Sequence, residues 1–367
     1  MANGDGVGPS LRVQRMTIAR WGSQLDDLLT DKYAPLKEIK KRGGFKFIND
    51  GGYEFRWGAQ TKATPMGHYT DGAAKEFVRN DLEKLAKLGF RTFEANELIT
   101  ALEMAVHKGP AAMINVFDGR KKRLVRDLHR RLARFFWADG VTANTKAWHG
   151  VESMMRVGTQ TTGDPLATSL TSTYANLACS YTGLSAGSTD RLEGYKAWSP
   201  TIVHCGRNTG AGVVSWADAA DTYIRRMISE ASFGPGDELD LILLTKSAMV
   251  DLKEILDDKE YIHVTKGSGD PDEVAVGFKK INFDGVALME DVAISTAVDA
   301  EGAVVHGYGL NMGEIEVKTL NVKPKTQLFS CKAEWSHDYQ SEQIYFCHFG
   351  NLKFNPRSVG KLATLVI

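Results

Sequence analysis

The feature that most constrains the fold is residues 111–139, where apolar and basic side chains each recur at helical spacing. The apolar positions that share one face are Ile114, Phe117, Leu124, Val125, Leu128, Leu132, Phe135 and Phe136. At about 1.5 Å per residue the predicted helix is roughly 40 Å long, which exceeds most helices of globular domains. Gly140 is well suited to end it. Such a helix must pack its apolar face on a sheet or on other helices.

The opposite face of this predicted helix is strongly basic. It carries Arg120, Lys121, Lys122, Arg123, Arg126, Arg130, Arg131 and Arg134, with Asp127 as the single acid among them. The formal net charge of the chain is zero, so any contact with nucleic acid must be local. Phosphate contacts are blind to base sequence, which suits a surface that lines a nucleic-acid compartment. The alternative is a face that simply meets water.

Composition sets the broad class of protein. The chain has 367 residues, enough for about two domains, and its 43% hydrophobic and 25% charged residues are ordinary for a globular protein. The four cysteines form no C-x-x-C pair, which indicates reduced thiols in the cytoplasm. We find neither a signal peptide nor an apolar run of about eighteen residues, so no membrane association is expected.

The first hundred residues predict an arm and a projecting loop. Residues 16–30 repeat apolar side chains at helical spacing, which fits either a core helix or an arm that packs on a neighbouring subunit. Residues 45–48 and 53–57 alternate apolar with polar around a turn, which predicts a β-hairpin. Residues 58–80 then have few aliphatic side chains, and a returning strand follows near residues 85–93.

Two strands that project a polar loop have unpaired edges, and such edges need cover from another chain.

The remaining chain predicts a compact α/β unit followed by strands. The expected elements are a helix at 94–107, an irregular stretch with short helices and few strands at 142–215, a helix at 216–230 with Ser215 as its N-cap, a strand at 239–244, a helix from Thr245 to about 256, a turn at Asp284 and Gly285, and strand-rich segments at 308–320 and 327–349.

No enzyme or metal signature survives inspection. The glycine-rich residues 206–212 lack the G-K-[ST] ending of a phosphate-binding loop. His204 and Cys205, like Cys347 and His348, are neighbours in sequence, and neighbours on a strand point to opposite faces. We therefore predict no catalytic residue, no metal site and no cofactor.

The order of these parts resembles the major capsid proteins of tailed bacteriophages, which have the Hong Kong 97-type fold. The stretches that carry the resemblance are residues 73–79, 240–246, 277–286 with Glu290 and Asp291, 308–311 and 349–352. The resemblance implies an α+β fold with an N-terminal arm (1–44), an extended two-stranded loop (45–95), a peripheral domain with a long spine helix (96–140 and 306–367) and an axial α/β domain (141–305).

The resemblance also implies a function. The subunit would assemble into the pentamers and hexamers of an icosahedral head around double-stranded DNA, with the eight cations of the spine helix facing the DNA. The arm and loop would contact neighbouring subunits through Trp21, Leu25, Trp57, Lys62, Pro65, Met66, Tyr69, Lys75 and Phe77. A separate scaffolding protein and a portal are the other expected partners, and the expected location is the virion, after assembly in the bacterial cytoplasm.

Two other interpretations remain open. An encapsulin-type compartment would keep the fold but hold cargo enzymes, and its lining would need an apolar groove for cargo peptides rather than a cationic helix. A soluble α/β enzyme with unrecognised chemistry belongs to a different class, and it would be a stable monomer or dimer with a defined pocket.

Overall fold

The fold is taken from a computed structural model of the chain. The described residues are 33–49, 52–60, 83–106, 110–141, 146–157, 166, 170–179, 198–206, 215–232, 238–258, 280–294, 303–320, 330–336 and 341–365.

The described residues form five α-helices and fifteen strands. The helices are α1 (Ala34–Lys41), α2 (Ala101–Val106), α3 (Pro110–Trp137), α4 (Trp216–Ala231) and α5 (Lys246–Asp258). The strands of the first half are β1 (Phe45–Ile48), β2 (Glu54–Gln60), β3 (Glu83–Gly89), β4 (Arg91–Thr100), β5 (Thr173–Tyr174), β6 (Leu177–Ala178) and β7 (Thr201–His204). Those of the second half are β8 (Leu241–Leu244), β9 (Lys280–Phe283), β10 (Val286–Glu290), β11 (Val304–Leu310), β12 (Glu316–Leu320), β13 (Ser330–Ser336), β14 (Ser341–Lys353) and β15 (Val359–Thr364).

One sheet gathers strands from both ends of the chain. Its path is β1, β12, β14 and β13, and β4 pairs with β14 as the fifth strand. Strand β14 is long enough to pair antiparallel with β4 from Ser341 to Gly350 and with β12 from Gly350 to Lys353. Helix α3 packs against β4. This sheet is therefore the support of the long helix.

The second sheet is the centre of the α/β part. Its order is β7, β15, β11, β8, β10 and β9, with parallel pairs between β7 and β15 and between β8 and β10. Helices α4 and α5 pack on each other and share one apolar cluster with strands of this sheet, including Met227, Leu252 and Leu362. A second cluster joins α1, the buried face of α3 and residues of β11 such as Tyr308 and Leu310.

Several predicted elements are confirmed. The long basic helix is α3, and Gly140 follows its end in a site so tight that a Cβ there would lie 2.2 Å from the carbonyl oxygen of Trp148. Thr245 caps α5, since its hydroxyl accepts a hydrogen bond from the amide of Ala248 at 3.3 Å. Asp284 and Gly285 form the β9–β10 turn with φ of 48° and 85°. These positive φ values fit a two-residue hairpin turn.

The predicted hairpin over residues 45–57 is wrong. Strand β1 pairs in parallel with β12, so that Phe45 lies opposite Val317, and it does not pair with β2. Strand β2 instead pairs antiparallel with β3, from Glu54 opposite Gly89 to Gln60 opposite Glu83. The returning strand is thus confirmed, and β2 and β3 form a two-stranded ribbon that we call the β2–β3 ribbon.

The predicted helix at 94–107 is also largely wrong. Residues up to Thr100 belong to β4, and only Ala101–Val106 are helical. Phe93 and Ile99 are buried while Glu94 and Leu98 are exposed, which is the alternation of a strand. Ten consecutive backbone pairs with β14 outweigh the local preference for a helix.

The sheets do not divide where the predicted domain boundaries fall. The predicted range 306–367 places β15 and most of β11 with the spine helix, but both strands lie inside the six-stranded sheet with β7 and β8. The predicted range 45–95 places β1 in the extended loop, but β1 belongs to the five-stranded sheet. The stretch 142–215, predicted to be irregular with short helices and few strands, holds the short strands β5, β6 and β7 among its described residues.

A buried ion pair connects the second sheet to the segment that follows α3. The ammonium group of Lys361 in β15 is fully buried and lies 3.0 Å from the carboxylate of Glu152, which also accepts a hydrogen bond from the Tyr308 hydroxyl. Removing one partner of such a pair leaves a buried charge without compensation.

We therefore expect Glu152→Gln to lower the free energy of unfolding of the unassembled subunit by about 3 kcal/mol at neutral pH. Urea denaturation followed by circular dichroism measures this loss. The matched double variant Glu152→Gln/Lys361→Met should lose less than the sum of its two single variants, because it leaves no unpaired charge. Additive losses would contradict the pairing.

Candidate assembly and nucleic-acid surfaces

Helix α3 separates apolar and basic side chains as its sequence pattern predicts. Its buried positions are Leu124, Val125, Leu128, Leu132, Ala133, Phe136 and Trp137. Phe135 is half-buried and meets Phe93 of β4 edge to face, with 5.2 Å between ring centroids. The side chains of Ile114, Phe117 and Lys121 lie outside the described residues. The apolar face thus holds the helix on both sheets.

Two of the eight predicted DNA-facing cations are held by acids of the same chain. The Arg120 guanidinium lies 2.6 Å from the Glu97 carboxylate of β4 and 2.5 Å from the Glu103 carboxylate of α2. The Arg123 guanidinium contacts the same Glu97 at 2.5 Å. The hydrogen bond to Glu97 is the main cause that raises the pKa of Arg120. This cluster fastens α3 to β4 and α2.

The other described cations of the helix are exposed and differently placed. Lys122, Arg126, Arg130, Arg131 and Arg134 are all exposed. Arg126 approaches its neighbour Asp127 at 3.8 Å, with both side chains more than half exposed. Because Arg126, Arg130 and Arg134 are four residues apart, they lie in one row along the helix. This row is a surface able to meet several phosphates at once.

The C-terminal end of α3 is fixed by a buried polar contact that the sequence pattern did not reveal. The indole nitrogen of Trp137 donates to the Asp291 carboxylate at 2.9 Å, and the Tyr33 hydroxyl donates to the same oxygen at 2.7 Å. The Trp137 ring also stacks on Tyr308, with 4.7 Å between centroids. Burial is the largest cause that raises the pKa of Asp291 and that of Tyr33.

The β2–β3 ribbon has its own aromatic contacts at its base. Trp57 stacks on Phe55 with 5.5 Å between centroids, and its ring lies 6.4 Å from that of Trp198. The ammonium group of Lys353 lies 5.7 Å from the Trp57 ring. Trp57, predicted to contact a neighbouring subunit, is therefore half-buried against its own chain.

The other predicted contact residues of the arm and loop lie outside the described residues. They are Trp21, Leu25, Lys62, Pro65, Met66, Tyr69, Lys75 and Phe77.

The described residues offer no metal-binding group of three or more His, Cys, Asp or Glu side chains. His204 is buried, and its Nδ1 accepts from the Leu365 amide at 3.0 Å. Burial raises the pKa of Cys205 and raises that of Cys179 to about 12, so both thiols are poor nucleophiles. Among the described helices, none is long and apolar enough to cross a bilayer.

Comparison with known proteins gives matches in structure and none in sequence. No family model and no curated protein matches the chain. The capsid of the native GTA particle matches at a TM-score of 0.54 and 10% identity, over 90% of this chain and 91% of that one. The capsid of Ralstonia phage GP4 matches at 0.52 and 10% identity, over 88% and 86% of the two chains. The SrpI encapsulin of Synechococcus elongatus PCC 7942 matches at a TM-score of 0.49 and 10% identity, over 88% of this chain and 84% of that one.

The chain therefore has the fold of phage major capsid proteins. Within that class, its mixture of helices and strands is the Hong Kong 97-like arrangement that the sequence resemblance predicted.

Proposed function

We propose that this chain is the repeating shell subunit of a tailed-phage head, with a structural and non-enzymatic role. The observation that carries the proposal is the match to a capsid subunit over 90% of this chain at a TM-score of 0.54. The subunit associates with its own copies in pentamers and hexamers, because closed symmetry lets one modest interface repeat around a container.

The β2–β3 ribbon supports self-association. Within the described part of the chain no third strand pairs with it, although Phe55, Ala86 and Leu88 bury its inner face in the core of the same chain. In the proposed shell, the loop between its strands crosses a neighbouring subunit, and that neighbour covers the strand edges. The arm at 1–44 makes the other contact between subunits.

The exposed row on α3 supports an inward, DNA-facing position. Arg126, Arg130 and Arg134 are exposed, and a row of arginines neutralises phosphates regardless of base sequence. Lys122 and Arg131 extend this surface, whereas Arg120 and Arg123 contribute less because Glu97 and Glu103 already neutralise them.

The proposal also assigns a position in the shell to each part of the fold. The peripheral part carries α3, and the α/β part lies around each capsomer axis. A separate scaffolding protein and a portal complete the assembly, which takes place in the bacterial cytoplasm and leaves the subunit in the virion.

Expression of the chain alone or with a scaffolding protein should give closed icosahedral shells in negative-stain images, with and without nuclease treatment. Shells filled with cargo protein and lacking nucleic acid would favour the encapsulin-type alternative. A stable monomer or dimer by size exclusion with light scattering would contradict the proposal and favour an enzyme.

Replacing Arg126, Arg130 and Arg131 together by Gln should spare folding and weaken DNA binding. Because each lost phosphate contact lowers the salt slope by about 0.9, the slope of log affinity against log salt should fall by up to about 2.7. Fluorescence anisotropy of a DNA duplex with unassembled subunits measures this slope.

The control replaces Arg225, Lys246 and Lys253 by Gln, which removes the same charge from α4 and α5 instead of α3. An equal loss in both triple variants would contradict a DNA-facing α3.

A further inference from the structure

A cavity of about 220 Å³ opens at the base of the β2–β3 ribbon. Trp57 and Ala59 of β2 form one side, and Trp198 lies before β7. Lys353 ends β14, and Asn355 and Arg357 come from the segment between β14 and β15. A site for one water needs only about 10–15 Å³ of such volume, so this cavity has room for a much larger group.

Two buried polar atoms beside this cavity have no hydrogen-bond partner. They are the indole nitrogen of Trp198, a donor, and the side-chain oxygen of Asn355, an acceptor. The Trp198 side chain is 5% exposed. Buried polar groups are nearly always paired, and an unpaired one costs stability. A donor and an acceptor beside one cavity therefore call for an occupant that supplies the complementary pair.

The position of Asn355 strengthens this interpretation. It occupies the N-cap of the short 3-10 turn Pro356–Ser358, where an Asn side chain ordinarily accepts a backbone hydrogen bond, yet it makes no such bond. Its oxygen thus serves neither the local turn nor another described group.

The chemistry of the cavity fits an extended peptide. A peptide unit offers one carbonyl acceptor for the Trp198 indole and one amide donor for Asn355. The rings of Trp57 and Trp198, whose centroids are 6.4 Å apart, contact each other and give the cavity an apolar wall on which one side chain of the same segment can pack. The lining also carries Lys353, Arg357 and Glu314, so a neutral or acidic segment is favoured over a basic one.

The strand beside the cavity points to a second copy of this chain as the source of the peptide. Among the described strands, β2 pairs only with β3, so no described strand covers its other edge. An extended segment can add to such an edge and place alternate side chains in adjacent pockets. In a shell of identical subunits, the neighbouring copy is the chain available at every such edge.

We propose that the cavity beside Trp57 and Trp198 binds an extended peptide segment of a neighbouring copy, which pairs with the Trp198 indole nitrogen and the Asn355 oxygen. The inference rests on the proposed shell function and specifies one contact within it. The two atoms left unpaired in the subunit become paired on assembly.

Asn355→Leu and Trp198→Phe test this inference separately, since each removes one unpaired polar atom and keeps most of the side-chain volume. Asn355→Leu should leave the urea midpoint of the unassembled subunit unchanged or higher, because an unpaired buried group is removed. Trp198→Phe also removes ring volume from a buried position, so it should lower the midpoint by about as much as Trp216→Phe, which makes the same change at a position equally buried. The subunit concentration at half-assembly, measured by light scattering, should rise about fivefold for each lost hydrogen bond.

Trp216→Phe is the matched control. The Trp216 indole nitrogen is also buried and unpaired, but it lies in α4, where the ring stacks on His306. This variant should assemble like the wild type.

The inference would be overturned if both test variants assembled like the wild type. It would also be overturned if assembly fell only in proportion to a loss of subunit stability. A wild-type chain that never forms shells would overturn the proposed function itself, so the two failures are distinguishable.

Discussion

The structure depends on how the C-terminal end of one long helix is held between two sheets. Trp137 ends α3 against β11 and β10, where it stacks on Tyr308 and donates to the buried carboxylate of Asp291. On the N-terminal side of Trp137, the apolar face of the helix lies on β4 of the other sheet. The helix therefore fixes the relation of the two sheets. Tyr33 reaches the same carboxylate, so the segment that leads into α1 is fastened at the same point.

The charges of α3 divide according to what lies opposite them. Near Glu97 and Glu103, arginines act as structural ties, and their charge is already compensated. Beyond these acids, the cations of the last turns are exposed. Their mutual repulsion lowers the stability of the helix. That division is the reason to connect only part of the basic face with DNA.

Local patterns predicted α3, α4, β8, α5 and the Asp284–Gly285 turn, since helical spacing, capping residues and turn residues act within a few positions. The local patterns wrongly predicted that β1 pairs with β2, because its partner β12 is distant in the chain. They also predicted a helix where β4 lies, because pairing with β14 overrides the local preference. The contact of Tyr33 and Trp137 with Asp291 was missed for the same reason, because residues that meet only in the fold leave no spacing signal. The unpaired Asn355 oxygen is likewise visible only once its surroundings are known.

The central claim is that this subunit is completed by its own copies at the β2–β3 ribbon. Hydrogen exchange of the ribbon amides, compared between unassembled subunits and purified particles, tests it most directly, with the buried β8 amides as an internal reference. The account predicts that ribbon amides exchange at least about tenfold more slowly in particles, because neighbouring chains cover the strand edges. Equal exchange of the ribbon in both states, with normal particles, would contradict it.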